Sequence, residues 1–506
     1  MQNMHEIGSQ VLLYGANASV GTSINITGTV ILLIATALVL FMVPGLAIFY
    51  GGLVRRKNVS TIIAQSFISM TIVTLIWIFG GFSLAFGSSA GGFIGNPADY
   101  FLFRNILFGN GWKYSSLVVN ITLANGVPFI AFFLFQLAFA IITPALVTGA
   151  FADRLNYHGY ILFTILFTIF IYIPVCHWIW GGGWLSTNGA IDWAGGVVIH
   201  ATCGMAAICS VFVLKRREIL GNEQTVPHSL PLVTIGAAIL LFGWFGFNTG
   251  GATYAPSNLT AEAIKNHITA GTLSTILPQN ELLFTGLTAF ANSFLAMTCA
   301  IAAWTIMDII LKRHTSLTSI LTAAIAGLAT ITPAAGFVPI WASLAIGFIG
   351  GLMCYTMCKL NHKAHFDDAL EVWPVHGVGG VTGAILVAAF ASSNVNPVLL
   401  TASQHITANV MGSALLLGWQ LAMIIVVCVW TAVFSVAIFY LIVYFKGKVS
   451  NEQQIEGLDH ALFDEDAYSK GVVKQEVVAS PAVLQDIVPQ KKNKKSKPSK
   501  VKNSTK

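Results

Sequence analysis

Two histidines, His200 and His376, lie within long apolar stretches of this chain, and each follows an aspartate at the same distance. The spacing is eight residues from Asp192 to His200, and eight again from Asp368 to His376. Imidazole titrates near neutral pH, and ionisable groups inside a bilayer usually line a functional path. A lone histidine is more often a hydrogen-bonded core residue. Two histidines with matching flanking residues instead favour a pathway through the membrane. A proton relay is an open alternative.

A metal site is a competing interpretation, because histidine and aspartate are common metal ligands. Such a site needs three or four converging groups. The other acidic candidates lie near the ends of apolar stretches: Asp192, Asp308, Asp367, Asp368 and Glu371. The seven cysteines lie mostly within apolar runs and are interpreted as small core residues. The sequence therefore predicts no metal and no cofactor, and a membrane enzyme with a His/Asp metal site is the least favoured alternative.

Aromatic residues form a second candidate group. They are Phe135, Phe139, Trp180, Trp244 and Phe247. Trp180 precedes three glycines, whose exposed carbonyls beside an indole face suit a small cation through cation–π attraction. Phe139 and Phe247 fall in different apolar stretches, where facing rings could close a pore to water. Most membrane aromatics are core or interfacial residues, so their neighbourhood is what singles these out.

The composition requires that these residues be held in a membrane. The chain has 506 residues, of which 55% are hydrophobic and 9% charged, and its mean hydropathy is +0.75. Soluble globular proteins do not combine these values, so the surrounding solvent is a lipid bilayer. The net charge of +6 reflects lysines concentrated after residue 490, which describes a tail and not a nucleic-acid-binding surface.

Eleven apolar stretches approach or exceed the roughly 20 residues that a helix needs to cross a bilayer. They lie near 28–50, 59–87, 127–150, 159–179, 193–214, 229–250, 282–311, 316–333, 337–358, 372–392 and 411–445. We therefore expect an all-α integral membrane protein with eleven transmembrane helices. Residues 1–27 precede the first helix, and residues 446–506 follow the last.

The loop charges predict the orientation, because cytoplasmic loops collect Lys and Arg. One set of alternate loops and the residues after the last span carry Arg55, Arg56, Lys57, Arg154, Lys215, Arg216, Arg217, Lys312, Arg313, Lys359, Lys363, Lys446 and Lys448. The opposite set carries Arg104, Lys113 and Lys265. This pattern places residues 1–27 outside the cell membrane and residues 446–506 in the cytosol, with a disordered lysine-rich end.

An internal repeat defines the architecture. The tetrapeptide ITPA occurs at 142–145 in span three and at 331–334 in span eight. The histidines lie in spans five and ten, so both features recur after five spans. An odd number of spans inverts the second copy in the membrane. We therefore expect inverted repeats at about 28–214 and 229–392, an extra helix at 411–445, and contact between the two histidines near the midplane.

Several ordered motifs resemble the ammonium transporter family (Amt/Mep/Rh), most closely its bacterial Amt members. Residues 192–200 read DWAGGVVIH and residues 375–380 read VHGVGG, similar to that family's signatures in spans five and ten. Further similar stretches are FMVPGLAIFYGGLVRRKN at 41–58, FQLAF at 135–139, GAFADR at 149–154 and GWFGFN at 243–248. The resemblance covers about residues 28 to 460.

The resemblance implies a homotrimer that transports ammonium or its analogue methylammonium, with one pore in each subunit. The recruitment residues would be Phe135, Phe139, Trp180, Asp192 and Gly251. The gate residues would be Phe139 and Phe247, and the pore-lining residues His200, His376 and Trp244. Asp192 could equally be structural, satisfying backbone donors at the start of span five.

The chain departs from the family pattern at Gly251. Many members have a serine there that accepts a hydrogen bond from the bound cation. Recruitment could be weaker here, or Thr249 or a backbone carbonyl could substitute. A sensor of the same fold with little flux is therefore an alternative function.

The residues after the last span also resemble the family. Residues 456–459 read EGLD, similar to a region that couples subunits and contacts PII-type signal proteins, so Gly457 and Asp459 are candidate regulatory residues. The lysine-rich end has no counterpart in this resemblance. Attraction to anionic lipid is one function that such an end could have.

Overall fold

The structure is a computed structural model that describes residues 26–106, 127–218, 227–253, 279–396, 399 and 413–468. The expected lysine-rich end, nearly all of the expected external N-terminal segment, and Lys113 and Lys265 lie outside the described residues. Within them the chain is almost wholly helical, apart from a two-residue hairpin formed by β1, Ser89–Ala90, and β2, Ile94–Gly95.

Eleven long helices follow one another along the described chain. They are α1 Ile26–Leu53, α2 Arg56–Phe86, α3 Phe129–Val147, α4 Tyr157–Thr187, α5 Gly196–Leu214, α6 Leu230–Gly250, α7 Gln279–Lys312, α8 Leu317–Ile331, α9 Ile340–Lys363, α10 Trp373–Phe390 and α11 Ala414–Tyr444. Ten of these described helices are long and apolar enough to cross a membrane. The eleventh, α8, is apolar but has 15 residues, which is compatible with the predicted count.

Helix α8 ends at Ile331, two residues before the predicted end of its span. Pro333 has no N–H to continue the helical hydrogen-bond series, and the N–H of Ala334 bonds to the carbonyl of Ile331, only three residues earlier. The carbonyl of Pro333 instead accepts a hydrogen bond from the backbone N–H of Trp193, at 3.1 Å. The ITPA sequence of span eight thus ends a helix and anchors the segment before α5.

The helices carrying the two histidines cross where glycines allow very close approach. A Cβ on Gly204 of α5 would lie 2.1 Å from the Cα of Gly377 on α10. A Cβ on Gly380 of α10 would lie 2.2 Å from the carbonyl oxygen of Gly196 on α5. Gly204 and Gly380 each lie four residues after the histidine of their own helix. The glycine that allows the close approach therefore occupies the same position relative to the histidine in both helices, a correspondence expected of a repeat.

The outer faces of the helix bundle are apolar. On α11, Ile425 is 61% exposed and Val433 is 62% exposed, whereas Gln420 is fully buried and hydrogen-bonded to Ile191 and Ala384. Polar groups thus turn inward and large apolar groups outward, the reverse of a soluble helix. This distribution fits a multi-pass membrane protein.

Two short helices after α11 fold back on the ends of the bundle. They are α12, Asn451–Glu456, and α13, Leu458–Phe463. Ser450 and Gln453 form a capping box at the start of α12. Asp459 accepts hydrogen bonds from the N–H groups of Ser60 and Thr61 at the start of α2, at 3.0 and 2.8 Å. The chain end is therefore attached to the first helical hairpin.

Candidate functional site

His200 and His376 meet at the crossing of α5 and α10. Their Nδ1 atoms are 3.2 Å apart, and their ring planes differ by 19°. One nitrogen must donate and the other accept, so the pair shares a proton when both rings are neutral. Nε2 of His200 has no partner among the described residues. The pair can therefore exchange a hydrogen bond with a small polar solute beside it.

Both histidines lie in π-helical segments that begin their helices, a feature that the sequence did not predict. These segments are Gly196–Ala201 and Trp373–Val378. Single π-helical turns are rare and frequent at functional sites, because the wider turn changes the direction in which side chains point. The local signal was the glycine-rich or proline-containing sequence around each histidine, which predicts irregularity without predicting its type.

Asp192 is a cap for the first π segment. Its Oδ1 accepts hydrogen bonds from the N–H groups of Gly195 and Gly196, and its Oδ2 from Val197 and Val198, all between 2.7 and 3.0 Å. The carboxylate is thus committed to backbone donors that are otherwise unpaired at a helix start. The structural interpretation of Asp192 accounts for all four contacts.

Asp192 also touches the predicted recruitment site through its backbone. Its carbonyl oxygen accepts a hydrogen bond from Nε1 of Trp180, at 2.8 Å. Asp368, the repeat counterpart, accepts from the N–H of Trp373 at 2.7 Å. Each aspartate therefore fixes the start of a histidine-bearing helix, and Asp192 additionally orients an indole.

The predicted recruitment and gate residues form one aromatic cluster. Ring centroids are 5.8 Å apart between Trp180 and Phe139, 4.6 Å between Phe139 and Phe135, and 4.4 Å between Phe139 and Phe247. Phe139 is fully buried and Phe247 is 1% exposed. The two phenylalanine rings therefore lie against each other inside the bundle, with Trp180 next to Phe139.

The aromatic cluster continues to the histidine pair. The ring of Phe247 lies 6.0 Å from that of His200, and Trp244 stacks on His200 at 5.3 Å. The indole N–H of Trp244 donates to Oγ1 of Thr332, at 2.9 Å. Thr332 belongs to the second ITPA sequence, so the repeat motif holds in place the ring that stacks on His200.

Gly251 lies against the indole of Trp193. A Cβ at Gly251 would be 3.1 Å from Cε2 of Trp193, whose Nε1 donates to the carbonyl of Asn248 at 2.7 Å. Trp193 therefore occupies the space that a larger residue would need. The methyl group of Thr249 lies beside Gly286 of α7, within 3.5 Å of a Cβ built there. Thr249 thus packs its methyl group toward α7, whereas its buried hydroxyl has no hydrogen-bond partner among the described residues, so it stays a candidate substitute acceptor.

A cavity of about 280 Å³ extends from the histidine pair toward the opposite end of the bundle. Its walls near the histidines are apolar and include Leu46, Ile142 and Val375. Farther along, the walls become polar and include His362 and Glu371. Sequence reasoning missed these two as a pair. The only local signal was the position of Glu371 near a span end.

The predicted regulatory residues lie at the attachment of α12 and α13. Gly457 has φ +119°, which favours glycine, and a Cβ there would lie 2.7 Å from the Lys57 side chain. Besides its two backbone contacts, Asp459 accepts from the hydroxyl of Thr61 at 2.9 Å. Both residues therefore lie where the segment after α11 contacts the first two turns of α2.

A buried ion-pair network connects this attachment to the start of α10. Asp153 bonds Arg55 at 3.2 Å and Arg217 at 3.5 Å, and Arg217 bonds Asp367 at 2.7 Å. Burial raises the pKa of Asp367, but the hydrogen bonds and charge of Arg217 outweigh it and lower the pKa to about 2. Asp367 precedes Asp368, the cap residue of the second histidine helix.

The described residues contain no group of three or more His, Cys, Asp and Glu side chains arranged to hold a metal ion. The histidine pair lies at one end of the aromatic cluster, and Asp192 and Asp368 are turned toward backbone donors. The arrangement can bind and hydrogen-bond a small solute between two regions of the bundle.

Comparison with known proteins agrees with this geometry. The model of the Ammonium Transporter Family matches residues 30–468. An ammonium transporter of Aquifex aeolicus (strain VF5) is 37% identical over 461 residues, covering 90% of this chain and 96% of that protein. A crystal structure of Saccharomyces cerevisiae Mep2 matches with a TM-score of 0.70 and 28% identity, covering 85% of this chain and 91% of that chain.

A solved structure described as a sensor Amt protein also matches. Its TM-score is 0.69 at 25% identity, and the match covers 86% of this chain and 97% of that chain. The family model spans residues that include α5 and α10, and the relative and both structures cover most of the chain. The chain therefore belongs to the Ammonium Transporter Family, whose members are transport proteins rather than enzymes.

Proposed function

We propose that this protein transports ammonium across the cell membrane, with methylammonium as an analogue. The cation is recruited beside Trp180 and Phe135, loses its proton above the ring contact of Phe139 and Phe247, and passes as ammonia along His200 and His376. The observation that supports this most is the unbroken series of contacts from Trp180 through the two phenylalanines to the histidine pair.

The apolar wall accounts for the loss of the proton. A bare cation is costly in a low-dielectric passage, whereas neutral ammonia is small and both donates and accepts hydrogen bonds. The paired Nδ1 atoms leave Nε2 of His200 available to such a solute. Potassium is excluded on the same basis, because it has no proton to release.

Uptake of labelled methylammonium tests this proposal in cells that lack their own ammonium transporters. We expect the wild type to restore uptake and the His200→Ala, His376→Ala double variant to lose selectivity over potassium or most of its rate. His158→Ala changes an exposed histidine outside the passage and serves as the matched control. Unchanged selectivity and rate in the double variant would overturn the proposed mechanism.

A sensor function is the second candidate. It is favoured by Gly251, which removes a side-chain acceptor from the recruitment site, and by the similarity to a structure described as a sensor Amt protein. Purified protein in liposomes separates the two functions. A transporter gives ammonium flux well above that of empty liposomes, whereas a sensor binds ammonium with negligible flux.

The assembly and partners follow from the same proposal. We propose a homotrimer with its N-terminus outside and its C-terminus in the cytosol, where Gly457 and Asp459 couple subunits and a PII-type signal protein can bind. The attachment of α13 to α2 through Asp459 supports this regulatory role. Mass measurement in detergent tests the trimer, and protease access to tags at each end tests the orientation.

A further inference from the structure

The polar end of the cavity contains a titratable pair that the transport mechanism above does not use. Nε2 of His362 lies 2.5 Å from Oε1 of Glu371. Both residues line the same cavity as the histidines of the passage. The His362 side chain is 69% exposed, whereas that of Glu371 is 22% exposed. The imidazole therefore contacts the solvent and the cavity together.

Glu371 is held in an unusual backbone conformation. Its φ is +61°, in the left-handed region, which is unfavourable for a non-glycine residue and in which such residues cluster at functional sites. The conformation is kept by two backbone hydrogen bonds, from Glu371 N–H to the Asp368 carbonyl and from Val375 N–H to the Glu371 carbonyl. It directs the carboxylate to the His362 ring, and Oε2 has no partner among the described residues.

The other charges around His362 come from two helices and the α9–α10 connection. Lys359 lies on the same helix, and Lys312 on α7 pairs with Asp308 at 2.7 Å. Both lysines lie over the ring of Tyr355, at 5.5 and 5.8 Å. The positive charges of the two lysines disfavour protonation of the His362 imidazole. Glu371 is the carboxylate in direct contact with that ring. An imidazolium at His362 therefore depends on Glu371.

We propose that His362, held by Glu371, is the proton donor that converts ammonia emerging from the passage into ammonium. This inference rests on the proposed function, since it needs ammonia in the cavity. The N–H bond of the imidazolium breaks, its proton joins the lone pair of ammonia, and the neutral imidazole regains a proton from cytosolic water. Ammonium is the weaker acid, so the transfer is downhill. The free Oε2 of Glu371 accepts a hydrogen bond from the new cation before release.

Right-side-out membrane vesicles test this donor, because their lumen is the cytosolic side. Initial methylammonium uptake is measured with the outside pH fixed and the lumen strongly buffered at values from about pH 6 to about pH 8, across the titration range of histidine. The wild-type rate should fall roughly threefold as the lumen pH rises, because His362 loses the proton that it donates. This is a modest part of the rate that a general acid usually contributes.

His362→Asn keeps a polar side chain that cannot titrate in this range, so its rate should be low and independent of lumen pH. Glu371→Gln should move the wild-type midpoint to lower lumen pH. His365→Asn is the matched control, because His365 is exposed on the α9–α10 connection and does not line the cavity. It should keep the wild-type profile.

Three outcomes decide the proposal. A wild-type dependence on lumen pH that disappears in His362→Asn and survives in His365→Asn supports it. Wild-type uptake that is independent of lumen pH, or an unchanged profile in His362→Asn, overturns the donor while the transport function stands. No wild-type uptake above empty-vector vesicles overturns the transport function, and the donor with it.

Discussion

At the scale of single residues, Gly251 is explained by its neighbour Trp193. A Cβ at position 251 would lie 3.1 Å from Cε2 of the indole, which is a tight contact. Gly251→Ala and Gly251→Ser should therefore lower the apparent thermal midpoint by similar amounts, equivalent to about 1 kcal/mol of overpacking. The serine hydroxyl adds an acceptor, so the serine variant should have a lower KM for methylammonium than the alanine variant.

Thermal unfolding in detergent and uptake kinetics measure these two effects separately. The alanine variant is the control for the hydroxyl, since it introduces the same Cβ. Equal KM values for the two variants would show that the side chain at this position does not reach the cation. A serine variant as stable as the wild type would contradict the role given to Trp193.

Asp368 makes a prediction about pH. Burial, and then the charge of Glu371, raise the pKa of Asp368 to about 7, from about 3.9 in an unfolded chain. The folded state therefore holds this proton more tightly, and the stability it contributes is complete below about pH 4 and is lost as the pH rises through about 7. Asp368→Asn keeps an acceptor for Trp373 but does not titrate.

The thermal midpoint of Asp368→Asn should consequently fall less than that of the wild type between about pH 4 and about pH 7. Midpoints measured at several pH values in one detergent check this. Asp464→Asn, at a side chain that is 92% exposed, should follow the wild-type curve. Parallel curves for wild type and Asp368→Asn would mean that the aspartate is ionised throughout this range.

At the scale of elements, the contact between α5 and α10 sets the histidine pair. A Cβ on Gly204 would overlap the Cα of Gly377, at 2.1 Å, and neither backbone can move without its helix. Gly204→Ala should destabilise the protein by about 1–3 kcal/mol and lower methylammonium uptake at least tenfold, because the histidines separate.

Gly418 of α11 provides the matched control. A Cβ there would meet nothing within 4 Å, so Gly418→Ala should leave both the thermal midpoint and uptake near wild type. The comparison removes the general effect of adding a methyl group to a membrane helix. Wild-type uptake in Gly204→Ala would contradict the link between this crossing and the pathway.

The sequence predicted the helices and the histidine contact from local patterns. The apolar stretches have the length of spans, and equal aspartate spacings in an inverted repeat place His200 and His376 together. The π-helical starts were not predictable, because they depend on backbone bonds to aspartates. The first start is held by four such bonds to Asp192, and the second by the bond from the Trp373 N–H to Asp368. The roles of the aromatic residues came from family resemblance, and the structure adds that their rings are in contact.

The pair of His362 and Glu371 lay beyond sequence reasoning for a different reason. The residues are separated by a connection whose course depends on a positive φ at Glu371, which no residue type there signals. The environment of Gly251 also depends on a contact between residues that are far apart in the sequence. The sequence showed a missing acceptor, whereas the cause is a packing contact with Trp193, from a distant part of the chain.

At the scale of the molecule, Asp459 joins the segment that follows α11 to the start of α2. It accepts hydrogen bonds from Ser60 and Thr61 at the N-terminus of α2, where an acidic group is favoured by unpaired N–H groups and the helix dipole. Asn58 continues the link by accepting from the N–H of Leu458 at 2.8 Å while donating to Asp153. The network then reaches Asp367 through Arg217.

Asp459→Asn tests whether this attachment influences transport. The amide accepts through one oxygen and adds an unwanted donor, so the variant should lose roughly 1–2 kcal/mol of capping energy. We expect faster protease cleavage after α11 and methylammonium uptake reduced severalfold, because Asp153 and Arg217 lose their support beside the start of α10. Asp464→Asn, at an exposed residue directly after α13, should change neither. Faster cleavage with unchanged uptake would show that the attachment is structural and does not reach the histidine helix.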